Sequence, residues 1–173
     1  MKRGTLLVLG GARSGKSAFA EQLVAESGLE RLYLATALAG DAEMEERIAH
    51  HRAGRDIGWR TVEEPHGLEA ALIENASAER AILVDCLTLW LSNLMLAGAD
   101  LSGRTERLCR TLTTLPGFAI LVSNEVGMGL VPDNRLGRDF RDAQGRLNQA
   151  VAAIADKVVF VAAGLPLYLK AAP

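Results

Sequence analysis

Gly10-Gly11-Ala12-Arg13-Ser14-Gly15-Lys16-Ser17 fits the phosphate-loop pattern G-x-x-x-x-G-K-S, between an apolar run, Thr5–Leu9, and a helix-like stretch. A strand that feeds such a loop into a helix delivers an anion to free backbone N–H groups and to the positive end of the helix dipole. The glycines let the backbone bend close around a phosphate. Lys16 is placed to reach the β/γ-phosphates as a mobile charge, and the Ser17 hydroxyl to give one oxygen to a hydrated Mg²⁺. A plain glycine turn is the alternative; the full pattern at a strand-to-helix junction outweighs it.

The chain has 173 residues, 49% of them hydrophobic, enough for one sizeable core and a single domain over residues 1–173. A formal net charge of −2 with 23% charged residues lacks the basic excess of a nucleic-acid binder and favours a small-metabolite partner. Cys86 and Cys109 have no metal-ligand spacing, so two buried, reduced cysteines in a cytoplasmic protein are expected. Lys2 and Arg3 precede an apolar stretch, Leu6–Leu9, too short for a signal core. No run approaches the ~18 apolar residues of a membrane helix, so stable membrane insertion is not expected.

Short apolar runs alternate with longer helical patterns, the mark of βα units around a mostly parallel central sheet flanked by helices. Strands are predicted near Thr5–Leu9, Leu32–Thr36, Arg60–Glu63, Ala81–Asp85, Phe118–Ser123 and Val158–Ala162. The continuous apolar runs Ala81–Val84 and Phe118–Val122 suit central strands covered on both faces. Helices are predicted near Lys16–Ser27, Ala42–His51, Gly67–Asn75, Leu87–Ala97, Ser102–Leu115 and Arg135–Ala155. Gly28 is placed to stop the first helix and Asp41 to cap the second. Ala97–Gly103 reads as a surface loop.

Three further clusters carry chemistry. Asp85 ends an apolar strand, where a carboxylate orients Mg²⁺ directly or through water in phosphate-loop enzymes; a turn or cap is the alternative. The run Arg47-Ile48-Ala49-His50-His51-Arg52-Ala53-Gly54-Arg55 sets two imidazoles beside three arginines. Met44, Ile48 and His51 share one helical stripe, which gives His51 a packing role. A neutral His50 imidazole can attack phosphorus while guanidinium groups neutralise phosphate oxygens, although spacing alone favours a surface histidine at a helix end. The third cluster, Ser123-Asn124-Glu125-Val126-Gly127-Met128-Gly129, follows an apolar strand. Ligands of open α/β sheets bind beyond the carboxyl ends of strands, which places Asn124 and Glu125 for a site. Gly127 and Gly129 permit turns. Arg135, Arg138 and Arg141, interleaved with Asp139 and Asp142, read first as a solvated ion-paired face and second as a phosphate contact.

Together these segments closely resemble the bifunctional adenosylcobinamide kinase/adenosylcobinamide-phosphate guanylyltransferase family of cobalamin biosynthesis. The resemblance rests on GGARSGKS, RLYLATA, RIAHHRAGRDIGWRTVEE, ILVDC and SNEVGMGLVPDNRLGRDFRDAQGRLNQ, and spans almost the whole chain. It implies a RecA-like P-loop NTPase fold and two reactions: phosphorylation of adenosylcobinamide with ATP or GTP, then GMP transfer from GTP to adenosylcobinamide phosphate. It implies that His50 is the nucleophile that becomes guanylylated. It also carries nucleotide contacts onto Gly10, Gly11, Ala12, Arg13, Ser14, Gly15, Lys16, Ser17, Ala35, Thr36, Ala37, Arg52, Ala53, Gly54, Arg55, Glu63 and Asp85, with Ser17 and Asp85 serving Mg²⁺. Ala37 stands where some relatives have serine, and Asp56 where proline is frequent. A homo-oligomer, by family analogy a trimer with the corrinoid near a subunit boundary, is the implied assembly.

Rival readings are a phosphate-loop switch or motor, a non-catalytic nucleotide-binding module and a simple small-molecule kinase. None of them needs a histidine among arginines.

Overall fold

A computed structural model of the chain describes residues 3–38 and 58–170. Seven strands form one sheet: β1 (Gly4–Gly10), β2 (Glu30–Ala35), β3 (Trp59–Glu63), β4 (Arg80–Asp85), β5 (Phe118–Asn124), β6 (Lys157–Ala162) and β7 (Leu165–Lys170). Their order is β3-β2-β4-β5-β1-β6-β7, parallel except for the antiparallel β6–β7 pair. Among the described residues there are five helices, in chain order α1 (Lys16–Ser27), α2 (Leu68–Asn75), α3 (Leu87–Leu96), α4 (Leu101–Thr114) and α5 (Arg135–Ile154).

Side chains alternate across a strand, so each central strand supplies two cores. Leu6, Val8, Leu83, Ile120 and Val122 pack with Ala20 and Val24 of α1 on one face. Leu7, Leu9, Ile82, Val84, Ala119 and Leu121 pack with residues of α2, α3, α4 and α5 on the other. Gly28 closes α1 in a left-handed conformation at φ 69°.

The six predicted strands lie within two residues of expectation, and five predicted helices within one. The predicted helix Ala42–His51 and its Asp41 cap lie outside the described residues. Two features differ from the sequence reading. The loop expected over Ala97–Gly103 ends at Asp100, whose carboxylate accepts the Gly103 N–H and starts α4 at Leu101. β7 is an additional strand. It is reached through Ala163 (φ 51°) and Gly164 (φ 78°), a two-residue connection with both φ positive, as a tight hairpin of this hand requires. Pro166 is tolerated because β7 is an edge strand.

A polar frame holds the loop after β3. Glu64 accepts the backbone N–H of His66 at 3.0 Å and of Gly67 at 2.7 Å, where α2 begins. The buried Trp90 indole donates to the His66 carbonyl at 3.0 Å, and Arg104 donates to the same carbonyl while pairing with Glu69. Asn93 Nδ2 reaches both Thr36 O at 2.9 Å and Pro65 O at 3.1 Å, tying the end of β2 to this loop.

The N–H groups of Gly67 and then His66 hold the Glu64 carboxyl below its ordinary value of 4.5. A folded-state pKa below the unfolded one contributes stability that is present above pH 4.5 and lost as the pH falls through the folded value. Glu64→Gln is therefore expected to lower Tm by roughly 2 °C at pH 7. That difference should shrink and vanish as the pH falls below the folded value; an equal difference at neutral and acidic pH, read by thermal melts, would contradict the assignment.

Candidate active site

Parallel register brings the strand ends to one edge. Gly10 lies opposite Asn124 and Val161, and Ala35 opposite both Glu63 and Asp85. Period-two alternation then sets the side. Leu83, Val122 and Tyr33 belong to the core beneath α1, so Asp85 and Asn124, two residues further along their strands, continue on the α1 side. The carboxyl edge thus carries the loop residues Gly10 to Ser17 and Asp85 on the α1 side, with the β2 end beyond Asp85 and Glu63 on the outer strand β3.

The loop is built around missing side chains. A Cβ at Gly10 would sit 2.6 Å from the Val161 carbonyl oxygen and 2.5 Å from Ser14 Oγ, so only glycine fits. Gly15, at φ 92°, turns the chain into α1 and provides no side-chain cap. By contrast, Asp100 and Asn134 cap α4 and α5 with their own side chains. A helix start with no side-chain cap, following a phosphate-type loop, suits an external anionic acceptor. Gly164 N–H donates to Ser14 O at 2.8 Å, so the β6–β7 turn braces the loop from outside. Lys16 Nζ donates to the Gly11 carbonyl at 3.0 Å, folded back along the loop. Ser14 Oγ is buried without a hydrogen-bond partner.

Asp85 accepts a hydrogen bond from Tyr33 Oη at 3.0 Å, which fixes its carboxylate. Next to it, burial first and the Asp85 charge second push the Cys86 thiol up to about 11, while Lys16 acts in the opposite sense. A hydroxyl, Ser17, and a half-buried carboxylate, Asp85, form an all-oxygen donor set. Mg²⁺ keeps several waters and takes few protein ligands, so this set fits it.

Thr36, expected as a nucleotide contact, also has a structural role. Its buried hydroxyl donates to Cys86 O at 2.7 Å and accepts Cys86 N–H at 2.8 Å; its own N–H goes to Asp85 O and its carbonyl accepts from Asn93. Its hydroxyl and N–H join β2 to the end of β4, and its carbonyl ties in Asn93 of α3. Ala35 and Ala37 are half-buried and flank this clamp, and Glu63 is exposed at the end of β3. His50, Arg52, Ala53, Gly54 and Arg55, with the rest of the Arg47–Arg55 run, lie outside the described residues.

Beyond β5, Glu125 N–H donates to Gly10 O at 3.1 Å, and its carboxylate accepts from Gly127 N–H at 2.6 Å. Neither Gly127 nor Gly129 takes a positive φ, so this segment does not turn through glycine geometry. Of the three arginines at the start of α5, Arg135 pairs with Asp139 and Arg141 with Asp142. Arg138 instead donates to the carbonyls of Pro132 and Asp133, holding the loop onto its helix. Sequence reading missed a buried polar cluster under β5: Ser123 Oγ donates to Asn148 Oδ1 at 2.7 Å, and Gln144 Nε2 donates to both. Isolated serines, asparagines and glutamines carry no periodic signal.

Among the described residues, no helix is long and apolar enough to cross a membrane. The family model for cobinamide kinase / cobinamide phosphate guanyltransferase matches residues 6–169. The chain is 55% identical to the bifunctional adenosylcobalamin biosynthesis protein CobP of Pseudomonas aeruginosa over 96% of this chain and 98% of that one. It is 39% identical to the bifunctional adenosylcobalamin biosynthesis protein CobU of Salmonella typhimurium, over 95% and 99%. A solved structure of the P4 protein from bacteriophage phi6 in complex with ADP shares the fold at 15% identity and TM-score 0.53, over 95% of this chain and 54% of that one. The fold is that of RecA-like P-loop NTPases. With a family model covering nearly its whole length, the chain belongs to the bifunctional cobinamide kinase/cobinamide phosphate guanyltransferase family.

Proposed function

We propose that the chain, acting as one domain over residues 1–173, phosphorylates adenosylcobinamide and then guanylylates the product. The observation that carries this reading is the convergence of the uncapped α1 start, Lys16, Ser17 and Asp85 on one side of one sheet edge. In the first reaction the aminopropanol hydroxyl oxygen attacks the γ-phosphorus of ATP or GTP. The bond to the β-phosphate oxygen breaks, the nucleoside diphosphate leaves and the hydroxyl proton passes to solvent. In the second, a His50 ring nitrogen attacks the α-phosphorus of GTP, a P–N bond forms and pyrophosphate leaves. A phosphate oxygen of adenosylcobinamide phosphate then attacks that phosphorus, breaks the P–N bond and gives adenosylcobinamide-GDP with the histidine restored.

The loop amides and Lys16 hold the triphosphate and spread its charge; positioning and electrostatics supply much of such catalysis. Mg²⁺, held through Ser17 and Asp85, neutralises charge on the phosphate oxygens when bound. Arg52 and Arg55 carry guanidinium groups whose chemistry suits phosphate, Ala53 and Gly54 complete that nucleotide segment of the sequence, and Glu63 accepts guanine N–H bonds. Thr36 contributes by holding Ala35 and Ala37 in place, since its own groups are taken. Because one reaction acts at a γ-phosphate and the other at an α-phosphate, the nucleotide or a loop shifts between them. On this reading the enzyme works in the cytoplasm as a homo-oligomer, a trimer with the corrinoid near a subunit boundary.

Incubation with α-phosphate-labelled GTP and Mg²⁺ is expected to leave acid-labile label on the wild-type chain and none on His50→Ala. Absence of label on a wild type that demonstrably binds GTP would remove the covalent step and leave a simple kinase. For the first reaction, Lys16→Ala should lower kcat/KM by roughly a hundredfold or more. Asp85→Asn should raise the Mg²⁺ concentration for half-maximal rate by about tenfold. An Asp85→Asn enzyme with unchanged Mg²⁺ dependence would take Asp85 out of the metal site.

A further inference from the structure

Large apolar side chains reach the surface in two clusters, along β7 and in the segment that leaves β5. In the second, Met128, Leu130 and Val131 are 79%, 97% and 65% exposed. Parallel register sets Asn124 level with Gly10 on the neighbouring strand. The segment therefore starts about 5 Å from the start of the phosphate loop, one strand spacing away. Glu125 N–H donates to the Gly10 carbonyl at 3.1 Å and joins the two loops directly.

Both ends of the segment are fixed. The Glu125 carboxylate accepts the Gly127 N–H at 2.6 Å. Arg138 donates to the carbonyls of Pro132 and Asp133 at 3.0 and 2.8 Å, and Asn134 accepts the Gly137 N–H at 2.7 Å. Pro132 packs so closely on α5 that a Cβ at Gly137 would lie 2.8 Å from the proline Cβ, so glycine is required there. Between these anchors, Met128, Gly129, Leu130 and Val131 take no hydrogen bond from the described residues. The tip thus presents apolar side chains together with open peptide N–H and C=O groups.

Three side chains on one loop are far fewer than the roughly 20–30 residues a side of a stable protein interface. They match one face of a small ligand, whose sites combine apolar contacts with a few polar groups. The corrinoid acceptor has the complementary chemistry, a macrocycle rimmed by methyl groups and amide-bearing side chains. Its aminopropanol hydroxyl must also come within about 3–3.5 Å of the γ-phosphorus, which brings the ring to this edge of the sheet.

We infer that Met128, Leu130 and Val131 form the platform that binds the corrinoid ring. Methyl groups of the ring cover their side chains, and its amides pair with the open peptide groups of residues 128–131. Glu125, Asn134, Gly137 and Arg138 are positioning residues that fix the platform beside the phosphate loop. The inference rests on the proposed kinase reaction and adds to it the surface that holds the acceptor.

Steady-state kinase assays of the full chain with Mg²⁺ and saturating nucleotide, with adenosylcobinamide varied, test it. The double variant Met128→Ser/Leu130→Ser is expected to raise KM for adenosylcobinamide by about tenfold to a hundredfold. Its kcat should stay within about twofold of wild type, the pattern of a contact made equally in ground and transition states. Both side chains are exposed, so Tm and the calorimetric affinity for the β,γ-methylene analogue of GTP should not change. An unchanged KM would overturn the inference. So would an equal loss of nucleotide affinity, which would make the segment a support of the phosphate loop, or a smaller species in sedimentation, which would make it a contact between copies. These three results leave the nucleotide-site reading intact. A wild type that binds nucleotide yet leaves adenosylcobinamide unphosphorylated would overturn the kinase reading and this inference together.

Discussion

The site depends on parallel register. Because β2, β3, β4, β5, β1 and β6 run the same way, their carboxyl ends arrive together, and alternation decides which residues at those ends share a side. Asp85, Asn124, Ala35 and Glu63 reach the α1 side by the same parity that buries Leu83, Val122 and Tyr33 beneath α1. A slip of one residue in β4 would turn Asp85 away and bring Val84 round in its place. The continuous apolar runs of β4 and β5 do not by themselves prevent such a slip, since both faces accept aliphatic side chains. Specific polar contacts at the edge pin the register. Thr36 grips the Cys86 peptide from β2, and Thr88 grips the Asn124 N–H from the start of α3.

The loop is specified by exclusion as much as by attraction. At Gly10 a side chain would strike the Val161 carbonyl, and at Gly15 a Cβ would lie 3.0 Å from Gly164 Cα. Thus β6 and the turn behind it form the outer wall of the phosphate loop. The Gly164 N–H to Ser14 carbonyl bond makes this wall cohesive. The antiparallel β7 then acquires a purpose in the fold: it closes the hairpin whose turn supports the loop, although its leucines at 165, 167 and 169 stay exposed.

Most of the architecture was legible because hydrophobic period and glycine punctuation are local signals. β7 was not, for physical reasons that can be named. A two-residue hairpin is usually announced by Asn-Gly or Asp-Gly, and here an alanine takes the left-handed position. Pro166 then argues against a strand unless edge placement is known. Of the site residues, the phosphate loop and Asp85 were visible from spacing on strand ends. The role of Thr36 was not, since a threonine after a strand looks the same whether its hydroxyl meets a ligand or a peptide group 50 residues away. Arg138 shows the same limit: three arginines at equal spacing form two ion pairs and one carbonyl clamp.

The polar accounting at the carboxyl edge separates framework from chemistry. Tyr33, Thr36, Glu64, Thr88, Asn93 and Asn148 each spend polar atoms on named protein partners. The buried side-chain atoms left without partners among the described residues are Ser14 Oγ, Asn124 Oδ1 and Gln144 Oε1. Each such atom costs on the order of 1–3 kcal/mol, a large share of a total stability of about 5–15 kcal/mol. Scattered at random they would be defects of packing. Ser14 lies in the phosphate loop, Asn124 stands level with its start, and Gln144 belongs to the cluster that holds the tip of β5. Of these atoms only the Ser14 hydroxyl can donate to an anion, whereas the two amide oxygens accept, so the loop itself holds the unspent donor while the surrounding polar groups are committed to the frame.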